Sequence, residues 1–225
     1  MKVAIHQPNF IPWLGYFYKM ANADVFVILD DAQYEKNGFL NRVKIKTPQG
    51  GKWLTIPTQS HFPQAINVAE LADYPNERLK CLKTIYFNYK KAPYFDYFFP
   101  ELEQIINGDW RLLSDLNIAL IHLVKKKLGI KTRLEIASSR SVNGESTERL
   151  LNLCVLLQAD TYLSGRGGKN YQDEFQFKSV GIKLEYSDFN HPVYPQQWGV
   201  FAEGLSIIDL LFNCGPESGV FFRRK

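Results

Sequence analysis

Cysteine is scarce: Cys81, Cys154 and Cys214 are the three in 225 residues. An odd count at wide spacing, with helical patterns around them, excludes a disulfide framework and a CxxC metal site. The thiols are therefore expected to be buried and inert. No HExxH or other metal-spaced histidine pair occurs and no GxSxG elbow, so neither a metal centre nor a serine or cysteine nucleophile is expected. A run of about 18 apolar residues, the minimum for a bilayer span, is also missing. The chain reaches His6 and Asn9 too early for a signal peptide, which leads to the expectation of a cytoplasmic protein with no membrane span. Internal repeats, low-complexity tracts and linkers are absent, and residues 1–225 read as one domain.

Charge adds little. The net charge is +4 and the pI near 8.8, with basic clusters at Lys125–Lys127 and Arg223–Lys225. The first closes a helix, where cations complement the dipole, and the second is a tail. Neither interleaves aromatics for base stacking, so no nucleic-acid partner is expected, while anionic small molecules remain compatible.

What is present begins at Val3. Val3–Ile5 is a short apolar strand that stops at His6-Gln7-Pro8-Asn9, because proline has no N–H for the ladder. Leu14, Phe17, Tyr18 and Ala21 recur at helical spacing, and Asp24 opens a second apolar strand, Val25–Leu29, ending on Asp30 and Asp31. Parallel strands joined by a helix point their C-terminal ends the same way, so His6, Gln7, Asp30 and Asp31 should cluster at the edge where such sheets bind ligands.

Further on, Val43–Lys46 and Lys52–Ile56 alternate about Pro48-Gln49-Gly50-Gly51, which predicts a hairpin with Lys44 and Lys46 on a solvated face. A short strand is expected at Asn67–Leu71. Helical spacing over Leu79–Tyr89, Tyr94–Ile106 and Leu112–Leu128 predicts a helical cover at about 76–129. The strand-helix rhythm resumes at Thr132–Ala137, with a helix capped by Thr147, strands at Thr161–Leu163 and Ile182–Tyr186, a short helix at Gln172–Phe177 and a last helix at Ser206–Phe212. This order predicts an α/β fold, a three-layer sandwich with a mostly parallel sheet.

Several groups can do chemistry at such an edge. His6 is a proton carrier or donor at a strand end, crowded by Gln7, Asn9, Trp13 and Tyr16. Asp30 and Asp31 can hold Mg²⁺, orient an amine or share a proton, or merely cap the next turn; adjacent side chains diverge, so at most one should face the site. Gln33 follows them. Asn41 and Arg42 offer donors for phosphate or carboxylate. In Ser164-Gly165-Arg166-Gly167-Gly168-Lys169-Asn170-Tyr171 the glycines let backbone approach an anion, with Ser164, Lys169 and Tyr171 adding polar groups. His191, Tyr194 and Gln196 sit in a proline-bracketed loop after a strand. His61 and His122 receive no role.

The segments AIHQPNFIPWLGYFYKMANADVFVILDDAQY, NRVKIKTPQGGKWLTIP, YLSGRGGKNYQD, HPVYPQ and LSIIDLLFNCG together resemble the WbqC-like family. That family occurs in bacterial O-antigen and lipopolysaccharide gene clusters, beside enzymes that make nucleotide-linked amino sugars. The resemblance implies a transferase placing an acyl or aminoacyl group on a sugar amine. More distantly, the strand-His-Pro-Gly-aromatic arrangement is similar to nucleotidylyltransferases, and GGKNYQD resembles a stretch of pantothenate synthetases, which implies a HUP-type, Rossmann-like sheet. Tyr16 follows Gly15 where an HxGH-type motif has its second histidine. On these resemblances His6 or Asp30 accepts the amine proton, Gln7 and Asn9 orient the acyl group, and Arg42, Ser164 and Lys169 hold phosphate. The donor is an acyl or aminoacyl carrier protein, or else ATP with Mg²⁺ activates the carboxylate. A sugar-nucleotide or carrier-binding module without chemistry is the remaining alternative.

Overall fold

The computed structural model describes residues 1–59, 61–72, 76–170 and 172–222. Five strands form one sheet: β1 (Lys2–His6), β2 (Val25–Ile28), β7 (Arg133–Ile136), β8 (Thr161–Ser164) and β9 (Lys183–Tyr186). Their order is β7-β2-β1-β8-β9 and every pairing is parallel. Numbered along the chain, this is a 3-2-1-4-5 sheet, so the topology reverses between β1 and β8. The cleft above that point is where such sheets take ligands. Two short antiparallel pairs lie outside it: β3 (Arg42–Thr47) with β4 (Gly50–Thr55), and β5 (Thr58–Gln59) with β6 (Glu70–Leu71).

Strand periodicity sorts the side chains into two layers. Ala4, Phe26, Ile28 and Leu163 face α1 (Leu14–Ala21), the helical block α2 (Glu77–Tyr89), α3 (Phe95–Ile106) and α4 (Leu113–Lys127), and α7 (Ile207–Cys214). Val3, Ile5, Val25, Val27 and Leu184 face the other way, onto α5 (Ser146–Leu156) and α6 (Glu174–Ser179). The result is a Rossmann-like three-layer sandwich. Among the described residues, no helix is long and apolar enough to cross a membrane. Cys81 and Cys154 are buried and Cys214 half-buried; burial pushes the Cys81 and Cys154 thiols up to about 12.

Three local expectations need correction. Asn67–Leu71 is a 3-10 turn at Ile66–Val68 followed by the two-residue β6, because Ala69 N–H closes back on Ile66. Glu145, not Thr147, is the N-cap of α5, and Thr147 lies in its first turn. Lys46 is buried rather than solvated: the loop before α7 folds over β3, and Lys46 Nζ donates to Gln196 Oε1 at 2.8 Å.

The segment after β1, residues 7–13, is the part of the fold that shapes the site, and polar groups pin it from two sides. Asn117 of α4, wholly buried, donates to the carbonyls of Pro8 at 2.8 Å and Leu40 at 2.7 Å. Ser206 donates to the Ile11 carbonyl at 2.7 Å, and Ile207 N–H to Pro12 at 2.9 Å. Between these pins Ile11 has φ 38°, a left-handed conformation rare for a β-branched residue. Asn117→Ala strips partners from two buried carbonyls, and the expected loss of stability is about 2–4 kcal/mol. Urea unfolding measures it; a loss near zero means that the pin is dispensable.

Candidate functional site

The cleft above the β1/β8 switch point has a volume of about 1860 Å³. That exceeds the few hundred to a thousand Å³ of ordinary small-molecule pockets and suits an extended ligand. Its floor comes from β1 and α1, one wall from the loops after β2 and β7, and the other from the loops after β8 and β9.

His6 ends β1. Its Nδ1 lies 3.2 Å from the Gln7 carbonyl, which can only accept, so Nδ1 carries the hydrogen and Nε2 keeps a lone pair. Burial, and then the nearby Lys19 ammonium, lower its pKa to about 3, so the imidazole is neutral at physiological pH. Its ring meets the Tyr16 ring edge-on at 4.8 Å. Tyr16 and Lys19 are three apart on α1 and so share a face. The Tyr16 hydroxyl has no hydrogen-bond partner among the described residues, and burial holds its pKa far above the usual phenol value. Lys19 donates to the Ile5 carbonyl at 2.9 Å and lies 5.8 Å from the Phe26 ring centre. Burial lowers this amine to about 7. Gly15 makes room for the rim: a Cβ there would sit 2.3 Å from the Trp13 indole, which folds over the start of the helix.

The two aspartates part company. Asp30 is absent from the cleft lining. Its carboxylate accepts from Ser138 N–H at 2.9 Å and Ser138 O–H at 2.6 Å, which ties the end of β2 to the turn after β7. Asp31 points the other way, lines the cleft and pairs with Arg149 of α5. Its Oδ1 is buried without a partner among the described residues.

Across the cleft, β8 runs into Ser164, Gly165 and a 3-10 turn at Arg166–Asn170. None of its three glycines has positive φ. Gly168 is glycine for closeness instead, since a Cβ would lie 2.2 Å from Ser164 Oγ and 2.6 Å from Gln172 Oε1. Arg166 donates to the Ser187 carbonyl at 3.3 Å and to Asn190 at 3.4 Å, bracing the loop after β9. There His191 Nδ1 donates to the Pro192 carbonyl at 2.9 Å, and its Nε2 is buried without a partner among the described residues.

Of the residues expected from sequence, His6, Gln7, Tyr16, Asp31, Gln33, Ser164, Gly165 and His191 line this one cleft. Others do not. Asn9 is buried within the pinned segment. Asn41 donates to the Ile56 carbonyl at 3.0 Å and fastens the hairpin. Arg42 stacks on Trp53 at 4.4 Å, and the exposed Lys169 lies over Tyr186 at 5.1 Å. Tyr194 donates to the buried Asp209 at 2.9 Å, as Tyr89 does. Tyr171 lies outside the described residues. Sequence reasoning missed Lys19, Arg140 and Arg149, and gave Arg166 no role of its own. A lysine three residues after Tyr16, between Phe17 and Met20, was the legible signal for Lys19; nothing local marks Arg149.

Comparison with known proteins bears on the family of the chain. No solved structure matches the chain. An uncharacterized protein of Mycobacterium tuberculosis, Rv1507c, is 38% identical over 228 residues, covering 99% of this chain and 97% of that protein. A profile of the WbqC-like protein family matches residues 7–220. The chain therefore belongs to the WbqC-like family.

Proposed function

We propose that this protein is a cytoplasmic transferase that joins an acyl or aminoacyl group to the amino group of a nucleotide-linked amino sugar, in the assembly of a surface polysaccharide. The observation that carries the reading is the cleft floor, where His6 and the buried Lys19 lie together at the switch-point edge of a Rossmann-like parallel sheet, the imidazole neutral and the amine lowered to about 7 by burial. A sugar amine is an ammonium ion at neutral pH and must lose a proton before it attacks. A base with a pKa near the working pH does this best.

Lys19 is that base, and His6 Nε2 accepts the second N–H and aims the amine. The amine nitrogen attacks the acyl carbonyl carbon, the C–N bond forms, and the bond from that carbon to the carrier breaks. For a thioester donor the sulfur leaves as thiolate and takes up the proton that Lys19 had received, while the second proton lost by the nitrogen passes to solvent water as the amide forms. Gln7 orients the acyl group, and Ser164 with Arg166 takes the diphosphate in place of Arg42 and Lys169, which face elsewhere. Asp30 acts as a positioning residue through Ser138. Substrate positioning and removal of water supply the rest.

Two measurements test this. In a thermal-shift screen, UDP- or dTDP-linked amino sugars raise the melting temperature in proportion to their affinity. Stabilisation by ATP with Mg²⁺ and not by any sugar nucleotide sinks the transferase and favours an ATP-dependent amide ligase. In turnover assays kcat/KM should rise about tenfold per pH unit below a pKa near 7 and level off above it, because the base works only when deprotonated. Lys19→Met should cost about 10²–10⁴-fold and abolish that limb; a profile unchanged in Lys19→Met removes the assigned role.

A further inference from the structure

The floor of the cleft holds a cation and a hydroxyl that the fold itself leaves unanswered. Lys19 is 4% exposed and Tyr16 1% exposed, and both line the cleft. No carboxylate pairs with Lys19 among the described residues, and its ammonium donates to the Ile5 carbonyl. The Tyr16 hydroxyl has neither donor nor acceptor beside it among the described residues. Buried polar groups are nearly always satisfied, because each forfeits its water at a cost. Whatever completes this pair must accept two hydrogen bonds and bring negative charge.

The donors of the floor narrow the class. A carboxylate offers two acceptor oxygens in one plane and a single charge, one oxygen for each donor. Phosphate would bring a third oxygen and a second charge to a floor with one cation. Of the guanidinium groups that line the cleft and would suit phosphate, Arg149 is paired with Asp31 and Arg140 with Glu135, and Arg166 stands on the wall after β8.

We infer that Lys19 and Tyr16 form a carboxylate subsite at the base of the cleft, which takes a small monocarboxylate. Binding of a free carboxylate there needs only the two side chains. Its place in catalysis rests on the transferase reading: in turnover the same donors hold the carbonyl oxygen as it gains negative charge. Lys19 then acts twice, first receiving the amine proton and afterwards, as the ammonium, donating to that oxygen.

The test is calorimetric titration of the full chain with acetate and propionate, at ionic strength fixed with chloride, and with inorganic phosphate in a parallel series. Saturable one-to-one binding of a monocarboxylate is expected. Tyr16→Phe, which keeps the ring, should weaken it about tenfold or more, the value of one hydrogen bond to a charged group. Lys19→Met should abolish it while near-UV circular dichroism stays native, and Lys52→Met, an exposed lysine on β4, should leave it intact. No saturable binding, undiminished binding in Lys19→Met, or phosphate binding as tightly and vanishing in the same variants overturns the proposal. The two readings fail separately. Carboxylate binding without stabilisation by sugar nucleotides keeps the subsite and drops the transferase, and the reverse pattern drops the subsite alone.

Discussion

An ammonium group buried at the base of the cleft, with no carboxylate paired to it among the described residues, is the constraint on which the site depends. Lys19 occupies an α1 position that the neighbouring Phe17 and Met20 give to the core, and a methionine there would pack with no charge to desolvate. Each pKa unit by which burial lowers the amine represents about 1.4 kcal/mol of preference for the neutral form. The sign follows directly. The unfolded chain holds the proton up to the ordinary lysine range, whereas the folded one gives it up near 7. Folding is therefore opposed by Lys19 at neutral pH, and the opposition fades as pH rises from about 7 toward the unfolded value. The core on both faces of the sheet bears that cost.

Such a group keeps its properties only if nothing near it moves, and the pins around residues 7–13 secure this. Asn117 and Ser206 reach the segment from α4 and from the cap of α7, elements far apart in the chain, and between them Ile11 is held in a conformation it would otherwise leave. The same segment sets the His6 tautomer through the Gln7 carbonyl. Asp30 performs the equivalent service on the other side by joining β2 to β7. The floor and one wall are thus fixed by buried hydrogen bonds rather than by side-chain shape, and a loosened pin would be felt first as water reaching Lys19.

This division also explains what the sequence made legible. The β1-α1-β2 unit could be read almost to the residue because Pro8, the helical spacing from Leu14 and Asp24 are local signals. The switch-point cleft followed from direction alone, since parallel strands must end together. The adjacency of Asp30 and Asp31 correctly implied that only one would face the cleft, but which one depends on Ser138, more than a hundred residues away. Lys46 shows the limit most clearly. Its alternation on β3 is that of a solvated strand, and only a loop some 150 residues later buries it. Arg42 and Lys169 failed for a related reason: cations on flexible stems settle on the nearest ring, here Trp53 and Tyr186. The glycines after Ser164 were legible as a special loop but not for their reason, which is close packing of Gly168 rather than positive φ.

The residue at position 16 bears on the chemistry most directly. A second histidine there, as in HxGH-type motifs, would sit deeper than His6 and beside the same ammonium, and burial would drive it neutral as it does His6. It would then offer phosphate no positive charge. A phenol in this position stays protonated at every physiological pH, because burial raises its pKa further still. The floor therefore combines a permanent donor in Tyr16, a permanent acceptor in His6 and one titrating amine in Lys19. On the proposed reading that set matches amide formation step for step: a donor for the carbonyl oxygen, an acceptor to aim the amine, and a base whose proton can move on. Its single charge is poorly matched to the several that a transferring phosphoryl group must have neutralised.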